Sequence, residues 1–186
     1  MCGLAGFMPF EPSSSEAMKS ISVEMANAIF SGGPDDQGVW VEDNNTLAMS
    51  FRRLAILDLS PAGKQPMKSI SGRYHLCFNG EIYNHLDLRK NLKKDWIGRS
   101  DTETILQSIE EKGLELALQS FVGMFALAVW DSRKQELTLA RDRMGEKPLY
   151  YGWVDNAFIF ASELKAIKKH PNFNNQICLL YTSPSP

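Results

Sequence analysis

The sequence predicts an α+β domain in which antiparallel sheets are layered with helices. Two patterns carry that reading: strand-length apolar runs arrive in adjacent pairs, and so do amphipathic stretches. A third is the lack of the strand–helix–strand alternation that builds parallel sheets. The 186 residues suffice for one full core, and the composition, 44% hydrophobic and 23% charged, is that of an ordinary globular protein.

Each element follows from local pattern. CGLAGFM, residues 2–8, is small and apolar and suits a buried first strand. Met18, Ile21, Met25, Ala28 and Ile29 recur at helical spacing behind an N-cap offered by residues 13–15; Gly32, Gly33 and Pro34 end that helix. Residues 39–41 and 47–51 read as a strand pair, and 54–59 and 74–78 as two further strands. A helix is expected over 84–94. Another opens at Ser100, where Ser100 and Glu103 have capping-box spacing ahead of Ile105, Leu106 and Ile109. The apolar run 123–130 reads as a strand before a turn at 131–134. Strands at 137–140, 149–154 and 158–160 follow, and Ser162 is expected to cap a short helix to Lys168. One domain spans 2–170. Residues 171–186, ending in ICLLYTSPSP, read as a truncation point or a non-native tail.

Bulk properties exclude several function classes. Net charge is −2, and the densest basic patch, residues 89–94, is interrupted and reads as a solvated helix face, so neither nucleic acid nor an anionic membrane is expected as a partner. No apolar run approaches the roughly 18 residues that span a bilayer, and no signal peptide is visible. Three cysteines and three scattered histidines lack metal-ligand spacing, so no metal is expected, and the odd cysteine count fits a reducing cytosol.

Four features bear on chemistry. Cys2 follows the initiator Met, whose removal would leave a thiol and a free α-amine on one residue; their pKa values, about 8.5 and about 7.7–8.0, make proton exchange between them cheap. Asn79-Gly80 after an apolar strand is by pattern a hairpin turn, while the Asn79 amide and Gly80 N–H also suit an oxyanion. Arg52-Arg53 opens either a surface strand or a fork for a carboxylate. Asp101, at a helix start, favours the helix dipole and suits a ligand ammonium. Together they describe a pocket for an amino acid, and glutamine fits it, with ammonia leaving from a Cys2 thioester. SGGPDD, residues 31–36, is not read as a phosphate loop, because a helical pattern precedes it where a strand is required.

MCGLAGF, SGGPDDQG, RRLAILDLSPAGKQPM, FNGEIYN, SDTE, GMFALAVWD, LARDRMGEKPLYY and FASELKAI, in that order, resemble the class II (N-terminal nucleophile) glutamine amidotransferase domain of asparagine synthetases. The resemblance runs from Cys2 to about Ile167. It implies a four-layer αββα fold with two stacked antiparallel sheets, Cys2 as nucleophile, its α-amine as base, and Asn79 with Gly80 as oxyanion hole. It further implies that Arg53, Leu54, Ile56, Leu57, Glu81 and Asp101 line the glutamine pocket with Asn79 and Gly80. In such synthetases a C-terminal domain uses ATP and Mg2+ to activate aspartate and receives the ammonia; no cofactor is implied for the glutaminase domain. That second domain is expected to be absent here, and a homodimer of the full-length form stays open. The family has His-Arg-Gly-Pro-Asp where this chain has Ser31-Gly32-Gly33-Pro34-Asp35, so a charged side chain that would brace the loop is replaced by Gly32. Two alternatives stand beside this reading: a related synthetase with another acceptor, and an impaired homologue acting as an interaction module.

Overall fold

The computed structural model describes residues 2–174 apart from Pro12 and Leu57. Nine strands and five helices follow one another among the described residues: β1 (Gly3–Pro9), α1 (Ser15–Ala28), β2 (Asp36–Val41), β3 (Ala48–Arg53), β4 (Met67–Lys68), β5 (Tyr74–Ile82), α2 (His85–Arg89), α3 (Asp101–Lys112), α4 (Leu114–Ser120), β6 (Gly123–Asp131), β7 (Glu136–Arg141), β8 (Tyr150–Val154), β9 (Ala157–Ala161) and α5 (Leu164–Ile167). The first sheet has the order β2-β3-β1-β9-β8 and the second β4-β5-β6-β7, and every pairing is antiparallel.

Period-two alternation along the strands sorts side chains into layers. Leu4, Met49, Phe51, Cys77, Trp130 and Phe160 fill the space between the sheets. The other face of the first sheet, through Ala5, Phe7, Ala48 and Ile159, packs on Met18, Met25 and Ile167 of the helical layer α1–α5. The second sheet presents Leu76, Phe78 and Leu127 to Ile105, Leu106 and Ile109 of α3. The result is the four-layer αββα stack. Fully burying each large apolar side chain contributes roughly 1.5–3 kcal/mol.

Local chemistry explains both the agreements and the departures. α1 starts at Ser14, whose Oγ accepts from Ala17 N, as the serine cluster suggests. Residues 54–59 do not form the expected strand. β3 ends at Arg53, whose guanidinium donates to the carbonyls of Asp58 and Ser60 and so gathers the following residues into a loop that leaves Ile56 and Leu59 exposed. Asn79-Gly80 is not a hairpin either: β5 runs straight through it, with Asn79 opposite Ala126 and Gly80 opposite Phe125. The helix expected over 84–94 is confined to His85–Arg89, because Lys94 turns inward to an ion pair with Glu103 at 2.7 Å. Glu103 makes no capping box with Ser100; its carboxylate accepts from Ile97 N and Gly98 N. Ser162 does not cap α5, since its Oγ accepts from Leu4 N at 3.1 Å and the cap position is Glu163. Helix α4 was not anticipated; Gly113, at φ 79°, breaks it from α3. Phe173 packs on the α1–β9 core, while residues 175–186, most of the expected tail, lie outside the described residues.

Candidate active site

Cys2 immediately precedes β1. The β1–β3 register pairs Gly3 with Arg52, which carries the thiol to the end of β3. There Leu54 N donates to Sγ at 3.2 Å and the thiol donates to Leu54 O at 3.4 Å. Burial pushes the Cys2 thiol pKa up, against the Leu54 N–H that pulls it down. A thiol so placed is protonated at neutral pH and needs a base to attack anything.

The SGGPDD loop supports that contact. Pro34 bridges to Arg53, Asp35 N donates to Arg53 O at 3.0 Å, and Asp35 Oδ2 accepts from Ala55 N at 2.8 Å. Residues 53–55, which hold the thiol, are thus held in turn. Gly32 provides no brace, and Arg52 supplies one instead: its guanidinium donates to Ala26 O and Asn27 Oδ1 and lies 5.0 Å over the Phe30 ring, tying β3 to the end of α1.

A pocket opens beside the thiol, walled by Arg53, Leu54, Ile56, Gly80 and Asp101 among the residues expected there. Arg53 is buried and has no carboxylate partner at ion-pair distance among the described residues. Its orientation comes from the Asp58 and Ser60 carbonyls, and Gly63 makes room for it, since a Cβ there would overlap Arg53 Nη2 and stand 2.9 Å from Cζ. Asp58 then ties this loop to its neighbour: Oδ1 accepts from Ser60 N and Oδ2 from Arg99 N, both at 2.8 Å.

The edge of β5 forms the facing wall. In an antiparallel ladder, successive residues direct N–H and C=O alternately to the two neighbouring strands. Phe125, opposite Gly80, spends its N–H on Asp142 Oδ2 and its carbonyl on Asp142 N, on the side away from β5. Gly80 therefore turns its own N–H and C=O outward, to the edge beyond β4. Along that edge Phe78 N and O are satisfied by the Gln65 amide, at 2.6 and 3.2 Å, and Ile82 N by Asp101 Oδ2 at 2.9 Å. Between these two satisfied residues the Gly80 N–H faces the pocket that holds Cys2.

Asp101 is the first residue of α3 and is buried, and burial raises its carboxyl pKa to about 6. Asn79 and Glu81 are not brought into the pocket wall; Asn79 is buried beside it, its amide donating to Ser162 Oγ at 3.4 Å. Leu57 lies outside the described residues. The sequence reading missed Asp58, Gly63, Gln65, Phe78, Ser100 and Thr102, which complete the wall. Gln65 acts as a one-residue continuation of β4, an arrangement with no periodic signature.

Comparison with known proteins bears on the family and the fold. The model of a family described as glutamine amidotransferase domain matches residues 1–179. Asparagine synthetase [glutamine-hydrolyzing] 2 of Bacillus subtilis is 40% identical over 178 residues, covering 95% of this chain and 23% of the relative. Asparagine synthetase B [glutamine-hydrolyzing] of Escherichia coli is 36% identical over 170 residues, covering 90% of this chain and 30% of the relative. A putative asparagine synthetase of Methanocaldococcus jannaschii is 36% identical over 212 residues, covering all of this chain and 40% of the relative. The chain thus spans well under half the length of these relatives. Among solved structures, the glutamine phosphoribosylpyrophosphate amidotransferase from B. subtilis, complexed with ADP and GMP, superposes with a TM-score of 0.77 at 20% identity, over 90% of this chain and 43% of that one. That likeness shows the fold.

Proposed function

The chain belongs to the glutamine amidotransferase domain family, and on that premise we propose that it hydrolyses glutamine to glutamate and ammonia through a Cys2 thioester. The observation that carries the reading is the outward Gly80 N–H facing the same pocket as the Cys2 thiol.

With Met1 removed, the Cys2 α-amine takes the thiol proton and Sγ attacks the side-chain carbonyl carbon of glutamine. The oxyanion is held by the Gly80 N–H, with the Asn79 amide as second donor once it leaves Ser162. A donor of this kind is worth about 2.7–4 kcal/mol in the transition state. Collapse of the adduct expels ammonia, which carries off the proton held by the amine, and water then attacks the thioester, releasing glutamate and restoring the thiol. Arg53 receives the α-carboxylate and Asp101 the α-ammonium; Leu54 and Ile56 supply apolar wall, and Glu81 adds charge near the ammonium. No cofactor enters these steps. The ammonia serves the synthesis of asparagine, as the names of the relatives suggest; aspartate as acceptor, with ATP and Mg2+, is what the resemblance to such synthetases implies for a second domain. A cytoplasmic setting accords with free Cys2 and Cys77. No described helix is long and apolar enough to cross a membrane.

The test is ammonia release from glutamine, measured on protein whose amino terminus mass spectrometry identifies as Cys2. Saturable release is expected, and its absence in that protein would overturn the reading. Asp101 sets the acid limb. Its carboxyl must be ionised to hold an ammonium, so KM for glutamine is expected to fall as pH rises through about 6 and to level off above. The stability linkage has the opposite sense. The native state holds this proton more tightly than the unfolded chain, so between about 4 and about 6 the group's contribution to stability declines as pH rises. Asp101→Asn should remove both dependences, and a KM–pH profile unchanged in that variant would reassign the ammonium.

A further inference from the structure

We propose that Ser100 is a substrate-binding residue whose hydroxyl accepts a hydrogen bond from the α-ammonium of glutamine; the assignment rests on the glutamine reading above. Ser100 occupies the N-cap position of the twelve-residue helix α3, with extended backbone at φ −72° and ψ 143°. A serine in that position ordinarily accepts from an N–H of the first helical turn. This one makes no such bond. Its residue is only 6% exposed, and its Oγ is buried without any hydrogen-bond partner.

A buried hydroxyl without a partner is destabilising, and its persistence calls for a compensating role. The surroundings supply one. Ser100 lines the same pocket as Cys2, Arg53 and Asp101. Its backbone is fixed from behind, because the carbonyl accepts from Arg89 Nη2 at 2.7 Å, and Arg89 is itself stacked 4.0 Å from the Trp96 ring. The neighbouring Thr102 hydroxyl is already engaged by Gln65 Nε2 at 3.3 Å.

An ammonium has three N–H groups to place. Asp101 supplies the charge, but its Oδ2 already accepts from Ile82 N. The adjacent Ser100 Oγ, enclosed here, is an uncommitted neutral acceptor on the same turn of chain, and a rotation about its Cα–Cβ bond would present it to the ammonium. Arg53, a cation, claims the carboxylate end of the ligand and not this one. Ser100 therefore completes the recognition of an α-amino group and helps the pocket refuse amides that lack one.

The experiment compares wild-type protein with Ser100→Ala on two substrates, glutamine and its deamino analogue glutaramate. For Ser100→Ala, KM for glutamine is expected to rise about tenfold, the size of one hydrogen bond to a charged group, with kcat within about twofold. KM for glutaramate should be the same in both proteins. The melting temperature of the free variant should equal or exceed that of wild type, because the substitution removes an orphan hydroxyl and no cap. A fall of several degrees with unchanged KM would make Ser100 an ordinary helix cap and overturn the proposal. An equal KM penalty on glutaramate would overturn it as well, by moving the contact away from the ammonium. Wild-type protein that releases no ammonia from glutamine would take the parent reading down too, whereas an active wild type with a silent Ser100→Ala sinks the Ser100 assignment alone.

Discussion

Cys2→Ala is expected to lower ammonia release from glutamine by at least about 10⁴-fold, the scale on which enzymes lose rate when a nucleophile is removed. No other described residue of the pocket can take its place. The Ser100 and Thr102 hydroxyls are weaker nucleophiles, and Thr102 is bound to Gln65. Cys77 lies fully buried between the sheets, where burial pushes its thiol far above the ordinary range. The fold should survive: Cys2 is half-buried at the margin of the core and gives up its two sulfur contacts with Leu54 and part of its packing there, worth about 1–3 kcal/mol. Rate and melting temperature measured on the same preparation separate these effects, and an alanine variant that still releases ammonia at the wild-type rate would sink the mechanism. A protein retaining Met1 should behave like Cys2→Ala, because its amine stands about 3.8 Å further along the chain and an amide replaces it.

How far the sequence disclosed this site depended on the range of the forces involved. Strands and the long helices were legible because their burial is periodic: Leu4, Met49 and Phe51 face one way, while Ala5, Phe7 and Ala48 face the other. Cys2, Arg53 and Asp101 were legible because each carries chemistry that a bland surface position does not require. The loop over 54–59 was misread because Ile56 and Leu59 look like strand residues, and the forces that curl the chain there, Arg53 gripping the Asp58 and Ser60 carbonyls, leave no pattern in composition. Gln65 was missed, and Glu103 misread as half of a capping box, for the same reason. Each satisfies backbone groups at a distance in sequence, Gln65 those of Phe78 and Glu103 those of Ile97 and Gly98. The departure at Gly32 also reads differently in three dimensions, since Arg52 braces the end of α1 from the neighbouring strand.

Gly80→Ala is expected to impair both fold and catalysis, for a reason opposite to the one its sequence context suggests. Asn-Gly invites the view that glycine is there for a turn. Gly80 instead has φ 158°, an essentially extended backbone inside β5. Space is the constraint: an added Cβ would overlap the Met124 carbonyl oxygen and stand 2.7 Å from Phe125 Cα, both backbone atoms of β6 that cannot swing aside. To admit the methyl, β5 must lift from β6, at a cost of about 1–3 kcal/mol for overpacking. The same displacement moves the Gly80 N–H relative to Cys2, so kcat should fall by about 10²–10³, as when one oxyanion donor is lost. Gly152→Ala makes the control, since its Cβ would meet nothing within 4 Å, and it should leave stability and rate unchanged. Urea unfolding and ammonia release measured on both variants divide the claim in two. A stable Gly80→Ala protein would refute the steric argument, and a destabilised one with wild-type kcat would remove Gly80 from the oxyanion site. Loss of both is expected because one residue both fits the strand against its neighbour and turns its N–H to the pocket.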